Sequence, residues 1–278
     1  MQWLYVYWNV DPEIFRIGGF AFRYYSLLFG VAFIGGFVLM KRMYRQEGVN
    51  ESLVNPLLLY IVAGTLIGAR LGQVFFYEFG YFKNHLLEII LPFRIGSKGF
   101  EWTGYQGLAS HGGAIGILIA LAIYAKKYKQ SYLWVVDRLA IVIALAGFFI
   151  RLGNLFNSEI IGRPTNVAWA FIFERVDLFP RHPSQLYEAI TYLFIFFILW
   201  SIYRKKAGQQ QKGFLFGLFL VLVFCARFII EFSKENQEVF ENSLPINMGQ
   251  ILSIPFVLTG LYFMFRKSPQ STVDPGKP

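Results

Sequence analysis

The feature that most constrains this chain is a series of seven apolar stretches, at residues 20–40, 53–77, 111–125, 133–156, 186–203, 214–232 and 248–265. Most approach the about 20 residues that a helix needs to cross a hydrocarbon core of about 30 Å. In lipid such a stretch can satisfy its own N–H and C=O groups only by forming a helix. The composition agrees, with 55% hydrophobic and only 15% charged residues, where a soluble domain carries about 25% charged. Abundant aromatics and a single cysteine, Cys225, exclude a disordered tail and a disulfide scaffold. The expected fold is all-α: a polytopic membrane protein with about seven transmembrane helices, forming one integral membrane domain over residues 1–278. No stretch resembles a cleavable signal peptide, and no repeat is visible. The one low-complexity run is QQQ at 209–211. Proline and glycine punctuate the loop after the second stretch, at Pro92, Gly96, Gly99, Gly104 and Gly107.

Net charge gives the orientation. The chain carries +9, and its cations gather in alternate loops: Lys41, Arg42 and Arg45; Lys126, Lys127 and Lys129; Arg204, Lys205, Lys206 and Lys212; Arg266, Lys267 and Lys277. With Arg138 these are fourteen cations against four carboxylates, Glu47, Glu51, Asp137 and Asp274, a net of +10 that leaves −1 for the rest of the chain. By the positive-inside rule these loops are cytoplasmic, so the N-terminus lies outside and the C-terminus inside. Because the positive charge is divided among separate loops, a nucleic-acid partner is not expected.

Several ionisable residues fall within or at the outer ends of spans, where topology does not explain them: Arg70, Arg151, Glu159, Glu188, Arg227 and Glu231. An arginine at a span centre costs roughly 2.5–3.5 kcal/mol, and three would cost on the order of 8–10 kcal/mol. Structural explanations are ion pairs inside the bundle, such as Arg227 with Glu231 at i and i+4, or snorkelling of Arg70 and Glu188 to the interface. Several arginines on one side of the membrane favour a site for an anion.

Polar residues gather in four stretches. At 105–116, Y-Q-G-L-A-S-H-G-G-A-I-G places His111 and two glycines where a span begins, and a helix start offers unpaired N–H groups to a close neighbour. At 151–163, Arg151, Asn154 and Ser158 fall on one helical face. Guanidinium beside amide suits a phosphate ester, through a planar fork of donors and a group for ester or hydroxyl oxygens. R-H-P-S-Q-L-Y-E at 181–188 opens the fifth stretch, with Pro183 fit for a first helical turn. R-F-I-I-E at 227–231 ends the sixth, and Arg23 and Tyr25 lie at the same outer level. One cysteine and three histidines give no zinc spacing, so no metal is expected. No phosphate-binding loop occurs, Ser110 lacks the context of a nucleophile elbow, and Cys225 reads as a packing residue in an apolar span.

In order and spacing these stretches resemble the bacterial phosphatidylglycerol–prolipoprotein diacylglyceryl transferases, from Gly18 to Phe265. The most specific part is R-L-G-N-x-x-N-x-E-x-x-G at 151–162, supported by H-G-G-x-x-G at 111–116, R-H-P-S-Q-L-Y-E at 181–188 and M-G-Q-I-L-S-I-P at 248–255. The resemblance implies a multi-pass enzyme of the bacterial inner membrane. It would transfer the diacylglyceryl group of phosphatidylglycerol to the lipobox cysteine near the signal peptide of a prolipoprotein, releasing glycerol 1-phosphate. This would be the first step of lipoprotein maturation, with no cofactor. Its partners would be phosphatidylglycerol, the prolipoprotein and the lipid bilayer.

The chemistry asks for cations where a phosphate leaves and a base for a thiol that is mostly protonated at neutral pH. Arg151 and Arg227 are the expected cations and His111 the expected base. Asn154 and Gly162 complete the head-group pocket, and Tyr25 matches a functional tyrosine of the family. Glu159 and Glu231 are expected to orient the arginines, with Arg70 as a further substrate-binding residue. The chain departs from the family pattern at Ser26 and Ile150, where glycine is common. It also departs at Val223, where some members have a functional tyrosine, and at Lys234, which replaces a frequent arginine. Two rival readings are a transporter for an anionic lipid or peptide, which would more often show two related halves, and a scaffold that only holds phosphatidylglycerol.

Overall fold

The computed structural model describes residues 5–90, 93–96, 99–102, 109–206, 210–235 and 246–266. Tyr105 to Leu108 of the first polar stretch, Pro92, Gly104, Gly107, Gln209, Lys267, Asp274 and Lys277 lie outside the described residues. The chain is mostly helical, and it divides into two compact units, Met1–Gly48 with Val136–Pro278, and Val49–Val135. Among the described residues, six helical segments are long and apolar enough to cross a membrane: Tyr24–Gln46, Glu51–Phe76, Tyr132–Asn157, Ser184–Lys205, Phe214–Ser233 and Met248–Phe265. Their exposed faces carry side chains such as Leu27, Ile34, Val38, Phe194 and Leu258, as suits contact with lipid.

The larger unit begins with three short strands, β1 (Val6–Trp8), β2 (Glu13–Ile17) and β3 (Phe20–Arg23), of which β2 and β3 form an antiparallel hairpin. Helix α1 (Tyr24–Gln46) follows directly. Phe20 to Arg23, the start of the first apolar stretch, are therefore in a strand, because β2 takes up their backbone hydrogen bonds. In the smaller unit, α2 (Val54–Phe76) is followed by two single helical turns, α3 (Phe79–Phe82) and α4 (Leu87–Ile90), and by a hairpin, β4 (Phe93–Gly96) with β5 (Gly99–Trp102). Helix α5 (Ser110–Lys127) then packs along α2. Glycines make this approach possible: a Cβ on Gly72 would stand 2.7 Å from the Cα of Gly112, and one on Gly64 would stand 2.6 Å from the Cβ of Ala120. Small residues that let backbones touch are a common basis of helix association in membranes.

Helix α6 (Tyr132–Asn157) is the most enclosed span, with half of its most apolar window buried. It leads to β6 (Phe171–Phe173) and β7 (Pro180–Arg181), which with β1 make a three-stranded sheet in the order β1-β6-β7. Then come α7 (Ser184–Lys205), α8 (Phe214–Ile230) and α9 (Met248–Phe265), with α8 packed against both neighbours. Polar side chains secure the helix ends. Asp137 of α6 accepts the N–H groups of Gly213 at 2.7 Å and Phe216 at 2.8 Å, capping α8. Asn247 and Gln250 form a capping box at the start of α9.

Arg138, read from sequence as an orienting charge, is almost fully buried. Its Nε donates to Glu47 Oε1 at 2.9 Å and its Nη2 to Glu47 Oε2 at 2.5 Å, while the Tyr203 hydroxyl donates to Glu47 Oε1 at 3.0 Å. The fork joins the end of α1 to α6 and α7. Removing one partner of such a pair strands the other charge in low dielectric. Arg138→Leu is expected to destabilise the detergent-solubilised protein by about 3–5 kcal/mol, read from its denaturant unfolding curve. An unchanged curve would show that the pair is not structural.

Candidate functional site

Arg151 and Asn154 lie on the last turns of α6, which ends at Asn157. The chain then turns through two residues in the left-handed region, Ser158 at φ 55° and Ile160 at φ 57°. Ile160 is the notable one, because a β-branched side chain is strained there. Between them, the Glu159 carboxylate turns back to accept Asn154 Nδ2 at 2.6 Å and Asn157 Nδ2 at 3.2 Å. The buried Gln185 of α7 donates its Nε2 to the Glu159 carbonyl at 2.7 Å, which ties the turn to the next span.

Arg151 itself faces α7. Its Nε lies 2.8 Å from Glu188 Oε2, and its Nη1 donates to Asn154 Oδ1 at 3.2 Å. Glu188 is shared, because Lys234 Nζ stands 2.7 Å from its Oε1 and also 3.2 Å from Glu231 Oε2. Arg151, Glu188, Lys234 and Glu231 thus alternate in sign, and the last three side chains are 6%, 6% and 9% exposed. Alternation lets charges stay buried that singly would carry a large desolvation cost. Gly249 of α9 makes room for Glu231, since a Cβ there would stand 2.6 Å from the carboxyl carbon.

Two expectations about these carboxylates need correction. Glu159 binds the amides of Asn154 and Asn157, so the carboxylate on Arg151 is Glu188. Glu231 begins a 3₁₀ turn, Glu231–Ser233, and its ion pair is with Lys234, three residues on, in place of the i, i+4 pair with Arg227. Arg227 is exposed and makes no ion pair among the described residues. It borders a small cavity with Glu188, Tyr192 and Val223. Tyr25, at the start of α1, lays its ring against Gly153, where a Cβ would come within 2.7 Å of a ring carbon.

The segment leading into α7 is braced to the same region. Arg181 Nη1 donates to the Gly162 carbonyl at 3.1 Å, and its Nε donates to both oxygens of Asp177, at 3.1 and 3.0 Å. The Arg181 hydrogen bond holds the Asp177 carboxyl below the usual carboxylate range. Burial and then the Arg163 charge push His182 below the usual imidazole value, favouring its neutral form. Gly162 accommodates this turn, since a Cβ would come within 2.6 Å of the His182 carbonyl and Ser184 Oγ. Arg163 Nε donates to the Lys234 carbonyl at 2.8 Å, so the segment also carries the lysine that bridges the two glutamates.

The smaller unit holds the other two predicted residues. His111 is the second residue of α5 and is exposed. The helix start is fixed on α2 by the Ala109 N–H donating to the Ala69 carbonyl at 3.0 Å and by the contact of Gly112 with Gly72. Arg70 donates from Nε to the Ile89 carbonyl at 3.0 Å and from Nη2 to the Glu88 carbonyl at 2.5 Å, and its guanidinium lies over the Phe82 ring. Those bonds anchor α4.

Sequence reasoning missed the joint role of Glu188 and Lys234, treating the first as unexplained and the second as a departure. The available signal was a span glutamate that had to find a cation, and a lysine at i+3 from Glu231. Among the described residues no three His, Cys, Asp or Glu side chains are grouped to hold a metal ion.

Residues 12–266 match the family described as prolipoprotein diacylglyceryl transferase. A Bacteroides fragilis protein named phosphatidylglycerol–prolipoprotein diacylglyceryl transferase is 48% identical over 263 residues, covering 94% of this chain and 95% of its own. Proteins of the same name from Chloroherpeton thalassium and Tolumonas auensis are 45% and 47% identical, covering 97% and 93% of this chain and 97% and 96% of their own. The chain belongs to the prolipoprotein diacylglyceryl transferase family.

Proposed function

We propose that the protein transfers the diacylglyceryl group of phosphatidylglycerol to the lipobox cysteine thiol of a prolipoprotein, releasing glycerol 1-phosphate, as the first step of lipoprotein maturation. The observation that carries this reading is an arginine near the end of a membrane span, Arg151, held by a buried carboxylate and a neighbouring amide in a chain of this family. In the reaction, sulfur bonds to the glyceryl carbon that bore the phosphate, and the C–O bond breaks. The electron pair leaves on the oxygen of glycerol 1-phosphate. Arg151 and Arg227 offset the charge that develops on that oxygen. His111, whose imidazole is exposed at the start of α5, takes the thiol proton.

The other residues take supporting parts. Asn154 and Tyr25 bind the head group, and Glu159 holds the Asn154 amide in place. Gly162 keeps the turn before α7 close-packed, and Glu231 fixes Lys234. Arg70, the further substrate-binding candidate, anchors the loop after α2 through the Ile89 and Glu88 carbonyls. The reaction uses no cofactor.

The protein is read as one integral domain of the bacterial inner membrane, with α5 as the seventh span. Its 18 residues extend about 27 Å at 1.5 Å per residue, near the thickness of the hydrocarbon core. The distribution of basic loops supports an N-terminus outside and a C-terminus in the cytoplasm.

Purified protein given phosphatidylglycerol and a lipobox peptide is expected to yield a diacylglyceryl adduct by mass spectrometry. Arg151→Ala and Asn154→Ala should abolish transfer while the protein still inserts and folds; near-normal turnover in either would misplace the pocket. His111→Asn should flatten the rise of rate with pH near neutrality, and an unchanged profile would assign the base elsewhere. A reporter fused after Lys277 should be active only in its cytoplasmic form. An extracytoplasmic signal would overturn the orientation.

A further inference from the structure

The β2–β3 hairpin sorts its side chains onto two faces of opposite character. Phe15 pairs with Phe22 and Ile17 with Phe20, and alternation along each strand puts all four on one face. The rings lie together, with centroids 4.5 Å apart for the stacked Phe15 and Phe22 and 5.2 Å apart for the edge-on Phe20 and Phe22. Yet this face is open, since Phe22 is 43% exposed, Phe15 49%, and Ile17 and Phe20 67%. The other face holds Glu13, Arg16 and Arg23, whose charges meet one another. Arg16 donates from Nη2 to Glu13 Oε1 at 2.7 Å and from Nε to Glu13 Oε2 at 3.1 Å, and Arg23 Nη2 stands 3.7 Å from Glu13 Oε1. An open apolar patch bordered by charges marks contact with a membrane or with another protein.

The junction with α1 favours the membrane. Arg23 ends β3 and caps α1, and the Tyr24 N–H donates to the Pro12 carbonyl at 3.0 Å, so the hairpin is fixed to the start of the span. From Tyr24 to Met40, just before Lys41 and Arg42, α1 carries no charged residue. That part extends about 26 Å at 1.5 Å per residue, about 4 Å short of a hydrocarbon core of about 30 Å. The apolar face of the hairpin adjoins this short end, and Phe20 and Phe22 belong to the same apolar stretch as the exposed Leu27 and Ile34 of α1. We propose that the hairpin is an interfacial anchor. Its Phe15, Ile17, Phe20 and Phe22 face rests in lipid at the membrane surface, while the paired Glu13, Arg16 and Arg23 face water and the head groups. Amphipathic elements that lie in a membrane surface divide their side chains in this way. The anchor holds the end of α1 from which Tyr25 reaches Gly153.

The inference rests on α1 as a membrane span, and the test separates the two. In a Cys225→Ser background, which leaves no other cysteine, nitroxide labels are placed singly by Ile17→Cys, Phe20→Cys, Arg16→Cys and Ile34→Cys. The full chain is reconstituted in phosphatidylcholine nanodiscs. Power saturation then compares the exposure of each label to oxygen, which concentrates in lipid, and to a water-soluble nickel chelate, which lipid excludes. Labels at 17 and 20 are expected to meet oxygen freely and to meet nickel several-fold less than the label at 16, on the opposite face. The label at 34, midway along α1, reports the span itself and should be the most protected from nickel. Nickel exposure at 17 and 20 equal to that at 16 would place the apolar face in water and overturn the inference, with the span intact. Protection of both positions from oxygen and nickel alike would show a protein contact there and overturn it equally. A nickel-exposed label at 34 would remove the span and the anchor together.

Discussion

Glu188 is the residue on which the arrangement of the site depends. It sits on a span, one oxygen facing Arg151 and the other facing Lys234, and its side chain is 6% exposed. A buried carboxylate with one cation would form a local ion pair. With two, it joins the end of α6 to the turn after α8, and Lys234 passes the connection to Glu231 beside α9. Single replacements in such a set leave an uncompensated charge, so the members act as a unit.

This unit accounts for chain features that would otherwise be independent. The strained turn at Ser158 and Ile160 brings Glu159 back to Asn154, which in turn accepts from Arg151. Strain of this kind persists where the surroundings over-determine it, and Gln185 supplies one such constraint by its bond to the Glu159 carbonyl. Gly153 and Gly162 admit Tyr25 and the His182–Ser184 turn respectively. The result is a guanidinium set against a buried carboxylate and an amide, with the exposed Arg227 beside the same Glu188 as a second cation. Preorganised charge of this kind suits the departure of a phosphate monoester.

The sequence made much of this legible. Hydropathy located the helices to within a few residues because a span must be both long and apolar, and the polar residues in spans stood out because lipid tolerates them badly. It did not show the short strands β1 to β7, which are brief: β2–β3 and β4–β5 are local hairpins, while β1 pairs with β6 across a long sequence separation, as Val6 does with Phe171. Nor did it show which carboxylate meets which cation. Spacing suggested Arg227 with Glu231, yet Lys234 takes Glu231 because the helix gives way to a 3₁₀ turn at that residue. Arg138 looked like a topology charge and is a buried structural one. Helical spacing reports neighbours on one helix; contacts among α6, α7 and the end of α8 depend on packing that spacing does not encode.

The central claim is that Arg151, held by Glu188 and Asn154, receives the phosphate of phosphatidylglycerol. A structure of the full chain with bound phosphatidylglycerol tests it most directly. The account predicts a phosphate oxygen within hydrogen-bonding distance of the Arg151 guanidinium while the Arg151–Glu188 and Lys234–Glu188 pairs persist. A head group seated away from Arg151, or an Arg151 that leaves Glu188 to reach it, would contradict the account.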